Sequence, residues 1–261
     1  MGDPKIVLFE ISREFVKGKQ TVEALREVSL SIDENEFVCL LGPSGCGKST
    51  LLNMVSGFDR PTRGRVLFAG AEVAHPGPDR AVVFQEPALF PWFTVLDNIT
   101  FGPKTRGESE AAYLERTRQY IDLVGLKGFE SHYPAELSGG MKQRVAIARV
   151  LVMEPKALLM DEPFGSLDAQ TRSLMQELLL RVWEQHQQTV LFITHDIEEA
   201  LLLADTVYVM TARPGRIKRR LEVGLARPRS IDVTTSATFN ELKRELLGLI
   251  REESLKAAGG G

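Results

Sequence analysis

The sequence predicts an α/β fold in which a mixed sheet is interrupted by a helical insert. Three observations carry this. The first third of the chain holds short runs rich in β-branched residues, bounded by Gly, Pro, Asp and Asn. From Glu86 to about Glu154 the apolar residues recur at helical spacing, broken by Pro87, Pro91, Pro103 and Pro134. Two continuous apolar runs, one from Ala157 to Asp161 and one from Thr189 to Thr194, then flank an amphipathic stretch, as buried parallel strands joined by a crossover helix would.

Element by element, strands are expected from Lys5, Val28, Glu36, Arg65 and Ala81. After Phe37 to Leu41 comes a glycine-rich turn, and the following Ser-Thr-Leu-Leu-Asn-Met-Val-Ser reads as a helix closed by Gly57. The insert supplies helices in the segments that begin near Thr94, Glu110 and Ser138, and another covers Ala169 to Gln187. The chain then offers a strand at Thr206 to Met210, a turn at Pro214 and Gly215, a strand-like stretch from Arg216, and a last helix from about Phe239 to Lys256. The 261 residues, 43% of them hydrophobic, suffice for a substantial core.

The formal net charge of -3 argues against a general polyanion binder, so nucleic acid is not an expected partner. The only cysteines are Cys39 and Cys46, the second within the glycine-rich turn, and both are read as reduced in a cytosolic compartment. No apolar run is long enough to span a bilayer, and the first ten residues do not resemble a secretory leader.

Gly42-Pro43-Ser44-Gly45-Cys46-Gly47-Lys48-Ser49 fits the pattern G-x-x-x-x-G-K-[ST], and it lies between a predicted strand and a predicted helix, the context that this pattern requires. Glycines let the backbone curl so that its N–H groups converge on phosphate oxygens, while the helix N-terminus adds its dipole. Lys48 brings a charge to the outer phosphates, Ser49 offers a hydroxyl to magnesium, and Thr50 supports the inner phosphate. A bound nucleoside triphosphate is inert until a metal is fixed and a water is aligned. Asp161 and Glu162, ending the run from Ala157, supply two carboxylates: Asp161 to hold magnesium and Glu162 to act as general base toward water.

Leu137-Ser138-Gly139-Gly140-Met141-Lys142-Gln143 resembles the signature segment of ATP-binding cassette (ABC) ATPases, and nearly the whole chain matches that family in order. The resemblance implies a P-loop NTPase core of ABC ATPase type with an antiparallel β subdomain and a helical insert, together one domain over 1–261. The core would take about 1–85 and 156–224, the helical subdomain about 86–155, and a tail and helix about 225–261. It implies ATP and Mg2+ as cofactors and a homodimer in which Ser138, Gly139 and Gly140 of one chain close over ATP held by the other. Phe15 falls where the family stacks an aromatic on adenine, Gln85 where a glutamine reaches magnesium and water, and His195 where a histidine contacts the terminal phosphate. The loop Pro163-Phe-Gly-Ser166-Leu-Asp168 is similar to one that crosses the family's dimer interface, with Ser166 where Ala is commonest.

Lys48 and Ser138 are separated by the length of one helical insert, too short for a coiled-coil arm, and there is a single P-loop and no fused membrane span. These features resemble a separate transport subunit, and the segments around Gly42, Phe68, Phe84, Thr94 and Glu162 are most similar to importer ATPases for nitrate, sulfonates and taurine. That implies two membrane-spanning permease subunits, a solute-binding protein acting indirectly, and a peripheral position on the cytoplasmic face of the membrane. A soluble ABC ATPase working on nucleic acid or iron-sulfur assembly is the alternative. Phe90, Trp92 and Phe93 are suited either to receiving a partner's helix or to packing the insert. The basic segment Arg213 to Arg220 reads as a solvated strand face, with anionic lipid head groups as the other possibility.

Overall fold

A computed structural model describes residues 4–18 and 20–259, and it divides into two units, Met1–Gly77 with Gln187–Gly261, and Pro78–His186.

The first unit contains two sheets. In one, β1 (Ile6–Lys17) pairs antiparallel with β2 (Gln20–Ile32) and with β4 (Arg63–Phe68), which in turn pairs with the two-residue β5 (Ala71–Glu72). Burial alternates along the second half of β2, as it must where only one face of an antiparallel sheet is covered. The second sheet is made by β3 (Phe37–Leu41), flanked in parallel by β8 (Thr189–Thr194) and β9 (Thr206–Met210), with β10 (Ile217–Glu222) antiparallel at its edge. All residues of β3, β8 and β9 are buried, which explains their continuous apolar runs. Helices α1 (Lys48–Ser56), α6 (Ile197–Leu203) and α7 (Ala237–Gly259) complete the unit, with α6 packed on β3 and α7. Phe37 and Phe192 meet in its core with ring centroids 5.9 Å apart.

The second unit holds β6 (Arg80–Val83) paired in parallel with β7 (Ala157–Asp161), and helices α2 (Val95–Thr105), α3 (Glu110–Leu123), α4 (Gly139–Leu151) and α5 (Ala169–His186). Thr94 caps α2 and Ser138 caps α4, each hydroxyl accepting a backbone N–H three residues on.

Three expectations shift. The strand expected through Gln85 stops at Val83, so Gln85 belongs to the loop beyond it. Helix α6 was not expected from the sequence; Asp196 starts it by accepting from Glu198 N and Glu199 N, and buried Arg229 ends it by donating to the carbonyls of Leu201, Leu202 and Ala204. The basic segment is not a uniformly solvated face. Lys218 is largely covered and pairs with Glu252 and Glu253 of α7, Arg219 pairs with Glu245, and Arg213 points onto the P-loop. A run of cations read along one strand gives no view of the acids that a distant helix lays against it.

Candidate nucleotide site

The glycine-rich turn leaves β3 and runs into α1, as its sequence requires. Gly45 has φ 75, a left-handed conformation open to glycine at little cost, and Gly57 at φ 85 closes α1 by donating to Asn53 and Met54 carbonyls. Lys48 is only 5% exposed, and its Nζ donates to the Gly42 and Pro43 carbonyls at 2.8 and 3.2 Å. The ammonium is thus held inside the curl of the loop, over the first turn of the helix. Ser44, Gly45 and Ser49 are exposed, Pro43, Gly47 and Thr50 are half-buried, and Gly42 and Cys46 are buried beneath them. The surface offered to a phosphate is therefore backbone and hydroxyl.

The same sheet edge delivers His195. Because β3 and β8 are parallel with Leu41 opposite Thr194, the P-loop and His195 leave the sheet side by side. His195 is exposed, and Asp196 N donates to Thr194 Oγ1 at 3.0 Å to set the chain direction there. Phe15 lies on the antiparallel sheet, 41% exposed. The Arg13 guanidinium sits 4.6 Å from its ring centroid and is itself gripped by both carboxylate oxygens of Asp59, at 3.0 and 2.8 Å. The aromatic is thereby backed by an oriented cation. Arg13 lies two residues before Phe15 on the same strand, so strand alternation alone was a signal for this pairing; Asp59 was not legible.

The second unit holds the carboxylates. Asp161 ends β7 and Gln85 lies two residues past the end of β6, and because the two strands are parallel with Val83 opposite Met160 both emerge at one edge. Glu162 has φ 43, a strained value for a residue with a side chain, of the kind tolerated where surrounding structure holds it. A Cβ added at Gly165 would lie 3.4 Å from Gln85 Nε2 and 3.7 Å from Glu162 Oε2, which places the amide and the carboxylate around one point. Ser49, Gln85 and Asp161 all present oxygen donors, the hard ligand chemistry that suits Mg2+.

Ser138, Gly139 and Gly140 open α4. Ser138 Oγ accepts from Met141 N at 3.3 Å, leaving the first-turn N–H groups of the helix directed outward. The two glycines differ in cause. A Cβ on Gly140 would strike Thr171 Cγ2 at 2.5 Å, so packing against α5 demands its absence, whereas one on Gly139 meets nothing within 4 Å. The backbone at Gly139 is bare toward the outside. Asp168 caps α5 through Thr171 N at 3.0 Å, and its neighbour Ser166 is exposed.

On the same unit, the aromatics after Gln85 form one surface cluster. Phe90 packs on Trp92, Phe93 and Phe101 at 5.7, 5.4 and 4.9 Å between centroids, yet Trp92 remains 68% exposed. The loop is rigidly tied: Asn98 Nδ2 donates to the carbonyls of Phe90, Phe93 and Thr94, and Arg149 donates to those of Pro87 and Ala88.

A glycine-rich turn between a buried parallel strand and a helix, with its lysine folded inward, defines a P-loop nucleotide-binding protein. The comparisons narrow the class. The model of the family described as ABC transporter matches residues 25–165. The chain is 47% identical to an uncharacterised ABC transporter ATP-binding protein of Methanocaldococcus jannaschii, over 97% of this chain and 94% of the relative. It is 48% identical to the nitrate import ATP-binding protein NrtD of Synechocystis sp. (90% and 88% covered), and 42% identical to the aliphatic sulfonates import ATP-binding protein SsuB of Bacillus cereus (91% and 92%). Among solved structures, a dimeric ATP-binding cassette in a post-hydrolysis state bound to ADP and Pi superposes with a TM-score of 0.75 at 31% identity, covering 85% of this chain and all of the other. The chain belongs to the ABC transporter family and is an ATPase of that family.

Proposed function

We propose that the chain powers an importer of small oxyanions, of the nitrate, alkanesulfonate or taurine class, as a homodimer that encloses two ATP molecules. The observation that carries the dimeric reading is Gly139, at the mouth of a helix N-terminus, where a Cβ would meet nothing within 4 Å among the described residues. A second copy's nucleotide is the anion that this backbone would meet. The cargo class rests on similarity to the NrtD, SsuB and TauB importer subunits.

In each shared site Phe15 stacks on adenine, and Gly42 to Thr50 hold the phosphates, with Lys48 turning from its loop carbonyls to the outer ones. Ser49, Gln85 and Asp161 would hold Mg2+, which supplies charge neutralisation on the phosphate oxygens. Glu162 takes a proton from the attacking water, and His195 donates to the terminal phosphate. Ser138 to Gly140 of the other copy close the site. Trp92, with Phe90 and Phe93, receives a helix from a permease subunit, which keeps the protein peripheral at the cytoplasmic membrane face. Among the described residues no helix is long and apolar enough to cross a membrane.

Co-expression with candidate permease subunits for nitrate, an alkanesulfonate or taurine, followed by purification on a tagged permease, tests this. The complex should form and take up one of the three oxyanions at the expense of ATP, and Trp92→Ala should reduce recovery several-fold while sparing the free subunit's ATP binding. Recovery with no permease, or uptake of none of these anions, would sink the reading.

A further inference from the structure

The segment Thr211 to Gly215 lies across the outer side of the P-loop and is anchored at both ends. At one end Gly215 exchanges backbone hydrogen bonds with the middle of the edge strand β2, its N–H donating to Ala24 O at 2.9 Å and its carbonyl accepting from Arg26 N at 3.0 Å. Any Cβ at 215 would collide with the Cys46 carbonyl, so the segment touches the loop directly. At the other end Ala212 N donates to Glu253 Oε2 of α7 at 2.9 Å. Glu253 is 1% exposed, and its other oxygen accepts from Lys218 and Lys256, both at 2.8 Å. Between these anchors the Arg213 side chain reaches over, and its Nε and Nη2 both donate to the Gly45 carbonyl, at 3.3 and 3.2 Å.

The peptide between Gly45 and Cys46 needs such a hold. With glycine on one side it can rotate at little cost, and the Cys46 N–H makes a long bond to Pro43 O at 3.4 Å. A cationic donor on the carbonyl pins that oxygen outward and so turns the N–H of the same peptide toward the interior of the loop, where it also becomes a stronger donor through polarisation. We infer that Arg213 and Glu253 are positioning residues for nucleotide binding: α7, through Glu253, seats the 211–215 strap, and Arg213 on that strap sets the Gly45–Cys46 peptide for phosphate. This rests on the assignment of Gly42 to Thr50 as the phosphate cradle.

Titration of the full chain with Mg-ATP and Mg-ADP, alongside steady-state hydrolysis, decides it. Arg213→Ala should weaken nucleotide binding and raise KM about three- to tenfold, the worth of one well-placed hydrogen bond, with kcat within about twofold of the parent, because the base and metal ligands are elsewhere. Arg213→Lys, which keeps a cationic donor, should recover part of the loss. Glu253→Gln should weaken binding less than Arg213→Ala and add nothing to it in the double variant, since both act through one peptide. Unchanged affinity in Arg213→Ala, or additive losses in the double variant, would overturn the brace; if Glu253→Gln fails to fold, Arg213→Ala alone decides, its side chain being exposed. Lys48→Ala separates the two levels. It should lose binding far more severely than either brace variant, and if it does not, the cradle assignment itself falls.

Discussion

The two helix N-termini that the sequence marks for phosphate, at Gly42 to Thr50 and at Ser138 to Gly140, are built on opposite plans. The P-loop is supported from within its own unit: Lys48 is folded onto two of its carbonyls, Arg213 holds a third, and Gly215 presses on its outer side. The Ser138 segment has a capped first turn and, at Gly139, open space. One is a loop braced within its own unit; the other is, in the proposed dimer, a half-site that a second copy completes. A monomer should therefore bind ATP and fail to hydrolyse it.

Four experiments break or sharpen that contrast. The largest effect belongs to chemistry rather than binding: Glu162→Gln should reduce phosphate release by at least about 100-fold while ATP binding persists and the closed dimer accumulates. Release at the parent rate would remove Glu162 from the role of base.

Next comes a crossed pair of mixed dimers. When Lys48→Ala and Ser138→Arg sit on the same chain opposite an unaltered partner, both shared sites lose a component and activity should collapse. With one substitution on each chain the defects fall in a single site, and the other should still turn over. The reverse pattern would mean that each P-loop works with its own Ser138.

Smaller is the loss expected at the adenine end. Phe15→Ala should raise the Kd for ATP about tenfold through lost stacking, leaving tripolyphosphate binding unchanged; equal losses for both ligands would place Phe15 outside base recognition. The smallest effect concerns the far support of the cradle. Burial would push the Glu253 carboxyl up, but Lys218, Lys256 and the Ala212 N–H outweigh it and hold it at about 2, against 4.5 for a free glutamate. Its folded pKa is depressed, so its contribution to stability is complete above about pH 4.5 and fades as pH falls toward 2. Glu253→Gln should lower the thermal midpoint by roughly 2–6 °C at pH 7, and the gap from the parent should close across that acid window. A gap independent of pH would deny the charge any part in seating α7.

What could be read from the chain, and what could not, follows the range of the interactions. The strand from Phe37 and the helix closed at Gly57 were legible because burial pattern and capping are local. The nucleotide motif was legible for the same reason: eight consecutive residues carry its geometry. Helix α6 was missed because its seven residues are too few for a period to emerge, and its end is stabilised by Arg229 from a later segment. In the Arg213 to Arg220 run the four arginines are exposed as expected, but the covering of Lys218 was not legible, because Glu252 and Glu253, which pair with it, belong to the distant helix α7.

The sequence by itself determined the fold class, the family and the glycine-rich nucleotide motif, since each is written in short spacings that local backbone geometry obeys. Only the tertiary structure decided how the cradle is held. The Asp59 grip on Arg13 behind Phe15, and the Glu253 carboxylate that accepts from Ala212 N beneath the Arg213 strap, join groups 46 and 41 residues apart in the chain. Such contacts leave no periodic trace, because a hydrogen bond between distant segments depends on where the whole chain has been packed.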